Sequence, residues 1–275
     1  MKNLKIGFIG AGNMAGSLIG GLIKNGVEPG LIRCADPNPA QRSNARLHHE
    51  VECVEDNDMI AAWADVLVLA VKPQVLHQVA AKLAPVVAGK LPVVISIAAG
   101  IRLTDLRRWL DCEPPLIRAI PNTPALVGAG ATGLFAVETV SCEQRDSAES
   151  LMRAVGSVIW VKQEADLDSV TAVSGSGPAY FMYFMEAIQE AAESLGLAPD
   201  QARLLILETA LGSARMAMES NETFSVLRKR VTSPGGTTER ALAVLEEQLT
   251  AKQICAAVKA AAARSRELAV LLGDD

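Results

Sequence analysis

The chain is poor in aromatic residues: Phe, Trp and Tyr make up 4% of 275 residues, although half of all residues are hydrophobic. Ala, Val, Leu and Ile must then fill the core, which favours parallel strands and closely packed helices over an aromatic-rich sandwich. Histidine is scarce too. His48 and His49 fall in a polar segment, and His77 lies inside a helical pattern that begins at Pro73. None stands at the end of a predicted strand, so a histidine base is not expected. The five cysteines (Cys34, Cys53, Cys112, Cys142 and Cys255) are scattered, odd in number and without ligand spacing. That excludes a disulfide framework and a zinc site, and reads as reduced thiols in a cytosolic protein. H-E-x-x-H and G-x-S-x-G are both missing, so neither metal chemistry nor a nucleophile elbow is signalled. Net charge is -5 and no basic patch is interleaved with aromatics, which argues against a nucleic-acid partner. No run reaches the roughly 18 apolar residues of a membrane span. The apolar N-terminal stretch is too short and too glycine-rich for a signal peptide.

What is present falls into two unlike parts. From Lys5 to about Val161, short apolar runs ("KIGFIG", "LIRCAD", "DVLVLAV", "PVVISIAA", "PLIRAI", "TGLFAV", "SVIWV") alternate with amphipathic stretches such as Val75–Leu83 and Ser147–Val155. This alternation predicts βαβ units with a mainly parallel sheet. After about Glu164 no strand-like run remains, and helices are predicted over Ala179–Leu195, Pro199–Met218, Thr238–Gln248 and Ala251–Leu271. The expectation is an α/β chain: a Rossmann-type parallel-sheet domain over 1–163 and an all-α domain over 164–275. The Ala-rich helices have broad apolar faces that would be left exposed alone, which predicts a dimer.

"FIGAGNMAG" follows the first strand and opens a helix. It fits G-x-G-x-x-A, with Gly10 for the tight turn, Gly12 for close approach to a pyrophosphate and Ala15 for close helix–strand packing. Gly10, Ala11, Gly12, Asn13, Met14 and Ala15 are therefore candidate cofactor residues, their backbone N–H groups facing an anion at the positive end of a helix. Asp36 ends the second strand, where a carboxylate can bind a ribose 2′-hydroxyl and favour NAD. "DPNPAQR" equally reads as a turn in which Asp36 bonds its own backbone. Arg33 and Arg42 are placed to pair with the 2′-phosphate of NADP, so the residues leave the two cofactors open. Ala70, Lys72 and Pro73 close "ADVLVLAVKPQ" at a strand's carboxyl end, where ligands of such sheets bind, and "ISIAAGI" leaves room for a nicotinamide ring near Ala98 and Ala99. In the second part, "VSGSGPAYFMY" and "VTSPGGTTERAL" each put small and hydroxyl residues at a helix start. Free N–H groups there, with hydroxyls beside them, make a neutral cradle for a carboxylate; ordinary capping by Thr237 or Thr238 is the alternative.

Taken together, "GFIGAGNMA", "ADVLVLAVKPQ", "IPNTPALVGAGATGL", "VSGSGPAY" and "VTSPGGTTERAL" resemble the pyrroline-5-carboxylate reductases over nearly the whole chain. Ile120 departs from the Met usual before "PNTP", a volume-conserving swap. The resemblance implies reduction of the cyclic imine 1-pyrroline-5-carboxylate to proline by NAD(P)H, more often NADPH, in a cytoplasmic homodimer or larger ring of dimers. It implies that Asn57 and Lys72 join the glycine loop in holding cofactor. Ser233, Thr237 and Thr238 would bind substrate, with Thr238 as the catalytic contact to the imine nitrogen and Glu164 facing the same pocket. The nearest alternative is a hydroxyacid dehydrogenase of the 6-phosphogluconate type, which needs a lysine early in its helical domain. No lysine lies between Lys162 and Lys229.

Overall fold

A computed structural model describes residues 3–273. Residues up to Ser176, with those from Ala261 onward, form one compact unit, and Gly177–Ala260 form a second. The first unit is built on a sheet of β1 (Ile6–Ile9), β2 (Ile32–Ala35), β3 (Glu52–Val54), β4 (Val66–Leu69), β5 (Val93–Ser96), β6 (Leu116–Ile120), β7 (Gly130–Ala136) and β8 (Gly156–Trp160). Their order across the sheet is 3-2-1-4-5-6-7-8. The first six strands are parallel, β7 runs antiparallel to β6, and β8 is parallel to β7. Around it lie α1 (Asn13–Lys24), α2 (Pro39–His49), α3 (Asn57–Trp63), α4 (Pro73–Lys90), α5 (Leu103–Leu110), α6 (Cys142–Arg153) and α7 (Asp166–Val170).

The near-continuous apolar reading of the strands has a simple cause: both faces of the sheet are covered, so most positions are apolar, with Ser96, Arg118 and Thr132 as buried polar exceptions. On one face Ile6, Phe8, Val66 and Val68 pack with Leu18 and Leu22 of α1 and Leu151 of α6. On the other, Ile9, Leu67 and Leu69 pack with Ile60 of α3, Leu76 of α4 and Leu106 of α5. Each such fully buried side chain contributes about 1.5–3 kcal/mol. At the edge, β8 has only one covered face and its residues alternate between half-buried and exposed.

Three features depart from the sequence pattern. β3 was not expected; it is three residues long and begins with an exposed Glu52. The polar segment holding His48 and His49 is the last turn of a helix, α2, with His48 exposed. Cys34 and Cys53, distant in sequence, are directly paired across β2 and β3 and are buried. A hydrogen bond between the thiols and burial push Cys34 well above the usual thiol range, so it stays protonated.

The second unit holds α8 (Gly177–Ser194), α9 (Pro199–Met218), α10 (Phe224–Arg230), α11 (Thr237–Glu247) and the first half of α12 (Thr250–Gly273). α10 was not anticipated; its signals are the Thr223 cap, which accepts from the Val226 N–H, and three basic residues in its last turn. Among the described residues, the buried hydrophobic side chains between Gly177 and Ala260 are Ala202 and Ile206 alone. Phe181, Tyr183 and Met218 are 68%, 70% and 82% exposed. A groove of about 340 Å³ between α8 and α9 is lined by Phe181, Phe184, Ile188, Leu205 and Ile206. No helix of the described residues is long and apolar enough to cross a membrane.

The end of α12 and the segment after β8 belong to the sheet unit for visible reasons. Ser265 Oγ donates to Asp168 Oδ1 at 2.6 Å, a buried pair. Glu164 Oε1 accepts from buried Arg118 Nη1 at 3.0 Å and from the Leu103 N–H at 2.8 Å, so it caps α5 from 61 residues away. Removing the carboxylate leaves the Arg118 charge buried and α5 uncapped. Glu164→Ala is therefore expected to lower unfolding stability by about 2–4 kcal/mol in urea titration. A loss below about 0.5 kcal/mol would show that the pair does not hold the connector.

Candidate cofactor and substrate sites

The loop between β1 and α1 is shaped by a conformation that only glycine adopts easily. Gly10 has φ +97°, and a Cβ there would come within 2.6 Å of the Ala70 carbonyl oxygen. The Gly10 N–H meanwhile donates to the Ala35 carbonyl at 2.7 Å. The loop is thus pinned where β1 parts its two neighbours, β2 and β4, the switch point at which open α/β sheets bind ligands. Gly12 is the N-cap of α1 and no side chain caps this helix. A Cβ on Gly12 would meet nothing within 4 Å, so the space in front of the helix is open. The N–H groups of Asn13, Met14 and Ala15 have no acceptor among the described residues. Uncapped donors at the positive end of a helix, facing open space, fit a pyrophosphate.

The other expected cofactor residues are distributed as follows. Asp36, half-buried at the end of β2, accepts the Ala11 N–H on Oδ2 and the Asn38 N–H on Oδ1, both at 2.8 Å. The turn reading of "DPNP" is therefore present in full. Arg33 pairs with Glu52 at 2.9 Å and lies over the Trp63 ring. Arg42 Nη1 donates to the carbonyls of Asp36 and Pro37 at 2.8 and 2.9 Å, while Nη2 is 3.5 Å from Glu55. Asn57 is the first residue of α3, next to the Asp56 cap. The Ala70 N–H donates to the Ile9 carbonyl at 2.8 Å, and two residues on Lys72 is exposed as N-cap of α4 with Pro73 at its first position. Ala98 is buried just beyond β5, its N–H 3.4 Å from Ser96 Oγ. The glycine loop, Asp36, Ala70 and Ala98 thus lie at or just beyond the carboxyl ends of neighbouring strands.

In the helical unit, Ser233–Gly236 is a turn closed by the Gly236 N–H on the Ser233 carbonyl at 3.0 Å. Pro234 at the second position and Gly235 at φ +71° in the third are the signature of a type II turn. Gly236 is the N-cap of α11 and carries no side-chain cap. Neither Thr237 nor Thr238 caps the helix, and their hydroxyls have no partner among the described residues. Sequence reasoning missed Glu239, whose Oε2 takes the Gly235 N–H at 2.7 Å. Its signal was available: an acid at the third position of a helix reaches back to the turn before it.

"SGSGP" departs from expectation. Thr171–Gly175 form a π-helical turn that continues α7, with the Ser176 N–H donating to the Thr171 carbonyl at 2.8 Å. It is not a second open cradle. Its fixed partner is Asn122 of "PNTP", also missed from sequence. Asn122 is buried, donates Nδ2 to the Ser174 carbonyl at 2.9 Å and accepts the Ala131 N–H at 2.8 Å. Glu164 has one carboxylate oxygen committed to Arg118 and Leu103.

The family profile for pyrroline-5-carboxylate reductase dimerisation matches residues 164–268, and that for NADP oxidoreductase, coenzyme F420-dependent, matches residues 5–100. A pyrroline-5-carboxylate reductase of Pseudomonas aeruginosa is 46% identical over 273 residues, covering 99% of this chain and 100% of that one. The solved pyrroline-5-carboxylate reductase of Coxiella burnetii is 45% identical with a TM-score of 0.92, over 97% of this chain and 99% of its own. The Plasmodium falciparum pyrroline carboxylate reductase, solved with NADP bound, is 28% identical with a TM-score of 0.87, over 98% and 99%. Full-length identity of this degree makes the chain a member of the pyrroline-5-carboxylate reductase family.

Proposed function

We propose that this chain reduces 1-pyrroline-5-carboxylate to L-proline with NADPH, as a homodimer or a larger ring of dimers in the cytoplasm. In this reading residues 1–163 serve as the dinucleotide domain and 164–275 as the part for dimerisation and substrate binding, although its two ends, up to Ser176 and from Ala261, pack in the sheet unit. The observation that carries it is the uncapped start of α11, with the Thr237 and Thr238 hydroxyls unspent behind a type II turn.

The cofactor, when bound, supplies the hydride that the imine carbon receives. The chain's own residues hold and orient. The N–H groups after Gly12 take the pyrophosphate, Asn57, Ala70, Lys72 and Pro73 border the nucleotide, and Ala98 leaves space for the ring. The N–H groups at the start of α11, with the Ser233 and Thr237 hydroxyls, take the substrate carboxylate. The helix dipole alone contributes about 0.3–1 kcal/mol, so the hydrogen bonds must carry the rest. Thr238 Oγ1 hydrogen-bonds the imine nitrogen and sets the face presented to the hydride. A protonated imine is already electrophilic, so placement and exclusion of water are the main demands on the protein. Glu164 enters only with the oxygen not shared by Arg118 and Leu103. NADPH is favoured because the Arg42 guanidinium sits beneath the β2–α2 turn and the Plasmodium relative was solved with NADP. The apolar faces of α8 and α9 support the dimer.

Thr238→Ala is expected to lower kcat/KM for the imine about 10- to 100-fold without abolishing turnover, the loss of one hydrogen bond to a charged group. Full activity with unchanged apparent substrate affinity would refute the role of Thr238. Side-by-side rates of cofactor oxidation with pyrroline-5-carboxylate should give a higher kcat/KM for NADPH than for NADH. Equal or reversed values would overturn the NADPH assignment.

A further inference from the structure

Asp36 has the place of a ribose-reading carboxylate but the bonding of something else. Each of its polar groups is engaged within the chain. Its N–H donates to the Val54 carbonyl at 3.0 Å, and its carbonyl accepts from Arg42 Nη1 at 2.8 Å. Oδ1 closes the turn on the Asn38 N–H, and Oδ2 takes the Ala11 N–H, 25 residues earlier, at 2.8 Å. Ala11 is the middle residue of Gly-Ala-Gly, nine-tenths buried, immediately before the uncapped start of α1. The bond is charge-assisted, the stronger class of hydrogen bond. It turns the Ala11 N–H toward the end of β2 and leaves the donors of Asn13, Met14 and Ala15 as the free set.

We infer that Asp36 is a positioning residue for the dinucleotide loop, acting through the Ala11 N–H, and that its contribution is common to NADH and NADPH rather than selective between them. The inference rests on the reading of this loop as a dinucleotide cradle. A carboxylate that read the ribose would favour the free 2′-hydroxyl and repel a 2′-phosphate. A carboxylate that latches the loop places the pyrophosphate donors, and both cofactors share the pyrophosphate. Cofactor choice then falls to other groups around the turn, with the half-buried Arg42 guanidinium foremost.

The test is equilibrium binding of NADH and of NADPH, read by nicotinamide fluorescence without imine, to the parent protein and to Asp36→Asn and Asp36→Ala. Asparagine offers one neutral oxygen to two facing N–H donors, so the charge is lost and only one of the Ala11 and Asn38 N–H groups can be served. Asp36→Asn should weaken both cofactors about tenfold, the ratio of their Kd values staying within about threefold of the parent. Asp36→Ala should weaken both further. Hydrogen exchange at the Ala11 amide should quicken in both variants at a temperature where circular dichroism shows them folded. A purely scaffold role would lower the unfolding midpoint and leave the Kd values unchanged. That result, weakening confined to NADH, or a tenfold shift of preference toward NADPH would each overturn the inference. A parent that binds both cofactors but does not reduce the imine refutes the proposed reaction and leaves the latch to be decided by Kd. A parent that binds neither cofactor overturns both.

Discussion

Backbone N–H groups without an intrachain acceptor, at the starts of two helices, are what both candidate sites depend on. A helix leaves its first donors unpaired, and a folded chain normally spends a side chain on them. α2, α3, α6 and α10 do so, with Asn38, Asp56, Ser141 and Thr223 as caps. α1 and α11 do not, although threonines stand ready at α11. In each the N-cap is a glycine in extended conformation. α4, α7 and α9 also lack a side-chain cap, and a glycine N-cap is what distinguishes α1 and α11 from them. With glycine at the N-cap the stability forgone is only about a few tenths of a kcal/mol per helix, which a bound phosphate or carboxylate can restore.

How much of this was legible in the sequence follows the range of the interactions. The strands buried on two faces announced themselves, since a continuous apolar run needs no partner to be recognised. Pro199–Met218 was read to the residue because proline and periodicity are local signals. β3 was not legible, because "ECV" is short, half polar, and becomes a strand only by pairing with β2. The π-helical turn at Thr171–Gly175 looked like a loop because glycine and serine suggest one. What holds it is Asn122, about fifty residues earlier. The site divides in the same way. The glycine loop and "SPGGTT" are contiguous motifs. The Asp36–Ala11 bond and the Glu164–Arg118–Leu103 cluster join residues 25 to 61 apart and carry no spacing rule.

Asp36 and Glu164 share a logic that sequence reasoning tends to miss. A carboxylate near a ligand site invites a direct role, yet a carboxylate is also the strongest neutral-pH acceptor the chain has for a stray backbone donor. Here each is half-buried and each takes a main-chain N–H from a distant element, Ala11 for one and Leu103 for the other. Both acids therefore shape the backbone around a loop or a helix start.

The substrate cradle has a different kind of support. α11 has no buried hydrophobic residue, and α8 and α10 have no buried large side chain. A helix normally owes most of its stability to an apolar face packed against something. The unit that holds Ser233, Thr237 and Thr238 thus lacks the enclosed core that fixes the glycine loop in place. The type II turn, the Glu239–Gly235 bond and the Thr223 cap hold local geometry, each with a contribution of order 1 kcal/mol. They cannot replace tens of square ångströms of apolar contact per side chain along α8 and α9. A dimerisation profile over 164–268 is the sequence-level trace of the same deficit: the helices are written for a partner surface.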